Sequence, residues 1–175
     1  MPQYLHFETE RLILRPTAEE DAAFILELLN TPKALKYVGD RNVHTVEEAK
    51  KYIADRITPQ LERLGYANYV AIRKSDGEKL GVCGLFDRPG VEGVDIGFSF
   101  LPQHEKQGYA YEAAARVMQA GIESFGLTTI HGYTVEANTD SRRLLEKLGL
   151  VYCDMFRFPD DDEDVLHFLW KSPQP

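Results

Sequence analysis

Residues 101–114 read LPQHEKQGYAYEAA, and that run restricts the fold more than any other stretch of the chain. An apolar strand-like stretch stops at Pro102, then comes a polar loop, and glycine and alanine open a long helical pattern. A helix start leaves backbone N–H groups free and carries the positive end of the helix dipole. Gly108 lets an anion come close to the chain, and the small Ala110 keeps the approach clear. Gln107, Gly108, Tyr109 and Ala110 can therefore cradle a pyrophosphate without a charged side chain. Taken alone, the turn is an anion-friendly helix start and nothing more. No GxxxxGKS/T run supports a P-loop ATPase, and no GxGxxG after a strand supports a dinucleotide fold.

The pattern around this turn predicts one mixed α/β domain over residues 1–175, in the order βααβββαβαββ. Glu10–Pro16 alternates, with Leu12 and Leu14 on one side, and reads as a first strand. Thr17 reads as the cap of a helix whose apolar stripe, Ala22, Ile25, Leu26 and Leu29, runs up to Thr31-Pro32. Residues 33–44 read as irregular. Thr45 to Glu48 is a capping box, and the helix it opens should run to Leu64, kinked at Pro59 and ended by Gly65. Strands are expected over 66–73, 79–87 and 94–101, then a helix from Tyr109 to Phe125 and a strand over 129–135. A helix opened by Asn138 or Thr139 ends at Gly149, and a hairpin over 151–158 and 165–171 closes around five consecutive acids, Asp160 to Asp164.

Composition narrows the function. The 175 residues carry a formal net charge of -8, which argues against binding to nucleic-acid phosphates. The two cysteines, Cys83 and Cys153, form no metal-ligand pattern, and each sits in an apolar run that suggests a packed core residue. The opening residues Met1 to His6 lack the basic-then-apolar pattern of a leader, and no run reaches the ~20 apolar residues of a membrane span. A cytoplasmic protein without metal or membrane partner is the expectation.

In order and spacing, the motifs resemble the GNAT superfamily of acetyltransferases, within it the branch that acetylates the N-terminal alanine or serine of ribosomal proteins. The resemblance runs from Thr9-Glu-Arg-Leu-Ile-Leu-Arg-Pro16 through Asp95-Ile-Gly-Phe98 and the turn 107–110 with Glu112-Ala113. It ends with Asn138-Thr-Asp-Ser141 leading into 144–149. It implies a bent mixed sheet of about seven strands with helices on both faces. The strands at 95–101 and 129–135 would splay and admit acetyl-coenzyme A as cosubstrate. Phe98, Ser99 and Phe100 would face the pantetheine arm, residues 107–110 the pyrophosphate, and Asn138 the cofactor arm. Glu105, where the family often has Gln or Arg, should face solvent.

The implied chemistry needs a base and a way to stabilise the leaving thiolate. Asp95 stands where many relatives carry Glu, and as the shorter acid would act through a water; the alternative is a strand-edge Asp that pairs with a neighbouring arginine or a turn amide. Relatives often use a Tyr in the helix after Asn138, but no Tyr lies there. Ser141 offers a hydroxyl for a hydrogen bond to the thiolate, or else serves the first turn of that helix. Tyr37, Arg41 and His44 fall on the acceptor side in relatives; His104 reads as structural, and His131 is given no role. The acceptor would be a protein N-terminal amine, a ribosomal protein among them, or a small-molecule amine. A homodimer stays open. The alternative is a non-catalytic acyl-coenzyme A sensor on the same fold.

Overall fold

The strand runs pair into one eight-stranded sheet in the computed structural model, which describes residues 3–173. The expectations of a single domain over 1–175 and of a leaderless opening segment include Met1, Pro2, Gln174 and Pro175, which lie outside the described residues. The strands are β1 (Phe7–Glu8), β2 (Leu12–Pro16), β3 (Asn68–Arg73), β4 (Lys79–Phe86), β5 (Asp95–Phe100), β6 (Thr129–Thr134), β7 (Val151–Phe156) and β8 (Val165–Lys171). Their order is β1-β2-β3-β4-β5-β6-β8-β7. The short β1 makes eight where seven are expected, pairing Phe7 opposite Leu14. Every pair is antiparallel except β5–β6.

Helices cover both faces. On one, α5 (Tyr109–Glu123) and α6 (Thr139–Lys147) seal a core with Leu12, Leu85, Ile96, Val117, Ile130 and Leu145. On the other, α1 (Ala22–Leu29), α3 (Val46–Tyr52) and α4 (Thr58–Leu64) seal a second with Ile25, Leu28, Ile53, Leu61 and Val70. Between α3 and α4 the helix widens into a π-turn at Ile53–Ile57. Pro59 lacks an N–H, and its ring would press on the carbonyl four residues back; the widened turn relieves this and Pro59 falls in the first turn of α4. Gly65 ends α4 at φ 85°, as its sequence predicts.

Three expectations change. Thr31-Pro32 does not merely stop α1: Thr31 accepts the Ala34 amide and Pro32 occupies the first turn of α2 (Pro32–Tyr37), where its missing N–H costs nothing. Thr17 does not cap the first helix; its amide donates to the Asn68 carbonyl and it is buried against β3. Cys83 is buried, but Cys153 is exposed, because β7 is the sheet edge and shifts register between Tyr152 and Asp154.

Arg15 and Asp21 tie β2 to the start of the helical layer. The Asp21 carboxylate is fully buried; it accepts from both terminal nitrogens of Arg15 at 2.8 and 2.7 Å, from Lys79 at 2.6 Å and from the Ala18 amide at 2.8 Å. Burial raises its pKa, but the hydrogen bonds from Arg15 and Lys79 outweigh it and hold the group at about 2. A carboxylate depressed on folding stabilises above its unfolded pKa, and that contribution is lost as pH falls through the folded value. Asp21→Asn should therefore cost about 2–3 kcal/mol near neutrality. In urea unfolding, the gap between variant and parent should narrow from pH 5 toward pH 2.

Candidate active site

The parallel pair β5–β6 is in register at one point, Asp95 beside His131, with the His131 amide donating to the Val94 carbonyl. Beyond that point the two strands part while β5 stays paired to β4 through Phe100. The Leu101 amide donates to the Leu80 carbonyl, which fixes the alternation: Ser99 turns its backbone toward β4. Phe98 and Phe100 turn theirs into the gap, so the gap has one wall of unpaired strand backbone. Ser99 lines the cleft from the same stretch.

The turn at the end of β5 supplies the second wall. Gly108 caps α5 at φ 83°, a conformation that L side chains rarely adopt. A Cβ there would also lie 3.3 Å from the Arg11 guanidinium. Gly108, Tyr109 and Ala110 line a cavity of about 260 Å³ together with Phe98, Phe100 and Asn138. Gln107 faces away, its carbonyl accepting from Arg11 at 3.0 Å. Glu105 does not point to open solvent: its carboxylate lies 3.4 Å from the Lys33 ammonium, which is also 3.4 Å from Asp140. The like charge that would sit near a phosphate is thus answered by a lysine from α2. His104 is buried with its ring 3.3 Å from Glu78, a packing role.

A second cavity, of about 460 Å³, shares lining residues with the first, among them Tyr37, Phe98, Ser99, Asn138 and Ser141. Asp95 lines it from β5 and Tyr133 from β6. The Asp95 carboxylate is almost fully buried and accepts from Arg88 at 2.8 and 3.0 Å, so the arginine pairing expected as an alternative is present. Burial raises its pKa and outweighs the lowering by Arg88. The Asn138 side chain caps α6 by accepting the Ser141 amide at 3.3 Å. That assigns the capping to Asn138 and leaves the Ser141 hydroxyl on the boundary between the cavities.

Sequence reasoning missed the scaffold of the turn. Thr9 and Arg11 from the strand-opening motif both bind Glu112 in the first turn of α5, with Arg11 Nε at 2.7 Å and its backbone amide at 3.0 Å. Arg11 also lies 4.2 Å over the Tyr109 ring. The pairing of Thr9-x-Arg11 with Glu112 is visible in the sequence only as two motifs far apart. His131, to which the sequence assigns no role, joins His167 at 2.8 Å, and His167 joins Asp154 at 2.8 Å, with Tyr133 stacked on both rings. Burial lowers the His131 pKa, and burial also pushes Tyr133 up to about 12. No cluster of three potential metal ligands occurs, and no helix is long and apolar enough to cross a membrane, both among the described residues.

Comparison with known proteins places this geometry. Residues 11–151 match the acetyltransferase (GNAT) domain family. The uncharacterized N-acetyltransferase YoaA of Bacillus subtilis (strain 168) is 29% identical over 143 residues, covering 81% of this chain and 80% of its own. An acetyltransferase from Agrobacterium tumefaciens str. C58 superposes with a TM-score of 0.82 at 23% identity, covering 98% of this chain and 97% of the other. The ribosomal-protein-S5-alanine acetyltransferase of Vibrio fischeri superposes at 0.79 and 18% identity, covering 96% and 97%. The chain belongs to the GNAT acetyltransferase family and is an N-acetyltransferase.

Gly108→Ala should lower Tm by about 3–6 °C in thermal unfolding, because a Cβ in the left-handed region costs about 1–2 kcal/mol. A Tm within a degree of the parent would show that the turn relaxes freely.

Proposed function

We propose that the chain transfers an acetyl group from acetyl-coenzyme A to a primary amine by direct attack on the thioester. The single observation that carries this reading is that the two cavities share Phe98, Ser99, Asn138 and Ser141 in their linings. An anion-binding helix start borders one cavity, and a buried carboxylate borders the other. The free amides at Gly108 to Ala110 would take the pyrophosphate, with Gln107 fixing the turn through Arg11. The gap-facing backbone of Phe98 and Phe100 would pair with the pantetheine arm, while Ser99 and Asn138 border the thioester.

The amine reaches the site protonated, with a pKa of about 10.4 for a lysine-like group. It gives up one proton to water held on Asp95, which Arg88 keeps in place. Its nitrogen lone pair then forms the N–C bond to the thioester carbonyl, and an N–H of the β5 wall steadies the oxyanion. On collapse the C–S bond breaks with its electron pair on sulfur. The Ser141 hydroxyl hydrogen-bonds the thiolate, which takes up the remaining proton lost by the nitrogen. The products are the N-acetyl amide and coenzyme A thiol. A cytoplasmic setting fits the two unpaired cysteines.

Thiol release from acetyl-coenzyme A over an amine panel tests the reading. Asp95→Asn should lower kcat by about 10²–10⁴-fold, the usual range for a general base. Ser141→Ala should lower it about tenfold, and neither should move coenzyme A affinity more than about threefold. Since Asp95 must be ionised to act, kcat/KM should fall as pH drops through its raised pKa. A pH limb that survives in Asp95→Asn would remove Asp95 from the role.

A further inference from the structure

Two arginines at the second cavity have no acidic partner among the described residues, although the chain has 28 acidic and only 20 basic side chains. Arg41, in the segment after α2, and Arg56, in the π-turn, both line that cavity and neither lines the first. The acids around them are already engaged. Asp95 is held by Arg88 and Asp87 by Arg63. The chain neighbours have other partners as well: Asp40 accepts from the Asn42 amide at 2.8 Å, and Asp55 is paired with Lys51. Both arginines therefore line the cavity at exposed positions, without an acidic partner among the described residues, in a protein whose net charge is -8.

We propose that Arg41 and Arg56 select the acceptor: a small primary amine that also carries a carboxylate or a phosphate. This rests on the acetyl-transfer reading above. A guanidinium fork matches the oxygens of either anion and binds them more tightly than a neutral group. The lining also includes the aromatic rings of Tyr37, Tyr52, Phe86 and Tyr133, which suit the acceptor's carbon skeleton. The volume of about 460 Å³ is that of a small-molecule site. In the transfer reading the amine end goes to the water on the buried Asp95, which leaves the acceptor's anion to the two arginines. The same arginines disfavour a polyamine, whose second cation would meet them. The arginines lie across the Phe98–Ser141 boundary from the Gly108 turn, on the side away from the expected coenzyme A phosphates.

The test is thiol release by the full chain with acetyl-coenzyme A and matched amines. One arm holds α-amino acids against their amides, and a second holds phosphoethanolamine against ethanolamine. A third holds spermidine and short peptides beginning with Ala or Ser. The expected result is at least tenfold higher kcat/KM for an anionic amine than for its neutral match, and whichever of the first two arms responds identifies carboxylate or phosphate. Arg41→Met and Arg56→Met, both at exposed positions, should each raise KM for that amine about tenfold. The acetyl-coenzyme A KM and the rate on the neutral match should stay within about twofold. Release that is equal or faster with neutral amines, spermidine or the peptides overturns the inference and leaves acetyl transfer standing, as do variants with unchanged KM for the anionic amine. Binding of acetyl-coenzyme A with no release on any amine overturns the transfer reading itself.

Discussion

β5 and β6 touch in register at Asp95 and His131 and then separate, and the rest of the site depends on that separation. A parallel pair that continued would satisfy the backbone of Phe98 and Phe100 within the sheet. Because it stops, polar strand edges face a gap that a cofactor arm can fill. The sheet survives the break because β4 holds β5 along its whole length and β8 holds β6 from Thr129 to Thr134. The helices on either face then close the gap from above and below, giving two cavities that share lining residues from β5 and α6.

Charge placement in the cleft is governed by burial. Asp21 and Asp95 are both buried carboxylates with arginine partners, yet they move in opposite directions. Asp21 has two cations and a backbone amide, enough to offset the loss of solvent. Asp95 has Arg88 alone as its hydrogen-bonded cation, and burial prevails. The first arrangement serves stability and the second suits proton transfer. The Glu105–Lys33 pair is a third case: a carboxylate unsuited to a phosphate site is tolerated because a lysine from another element answers it.

Much of the fold is legible in the sequence. The alternation at Leu12 and Leu14, the capping box at Thr45, the glycine stops and the strand runs all act locally, so neighbouring residues decide them. The α2 helix is hidden because Thr31-Pro32 has two local meanings, helix stop and helix start, and only the packing of residues 33–37 selects between them. The exposure of Cys153 is hidden for a related reason. An apolar strand looks the same whether it is central or at an edge, and β7 is at the edge.

For the site, the sequence alone determined the helix start at Gly108, because a glycine between a strand end and a small-residue helix has few other uses. The motif order around it was enough for the family. The side-chain partners were decided only in three dimensions. Arg11 meets Glu112 across about a hundred residues, Arg88 meets Asp95 across a turn, and Arg41 and Arg56 converge on one cavity from separate elements. Local sequence fixes which conformation a segment prefers. Which charges face each other, and which are left free for a ligand, depends on long-range packing that no window of neighbouring residues contains.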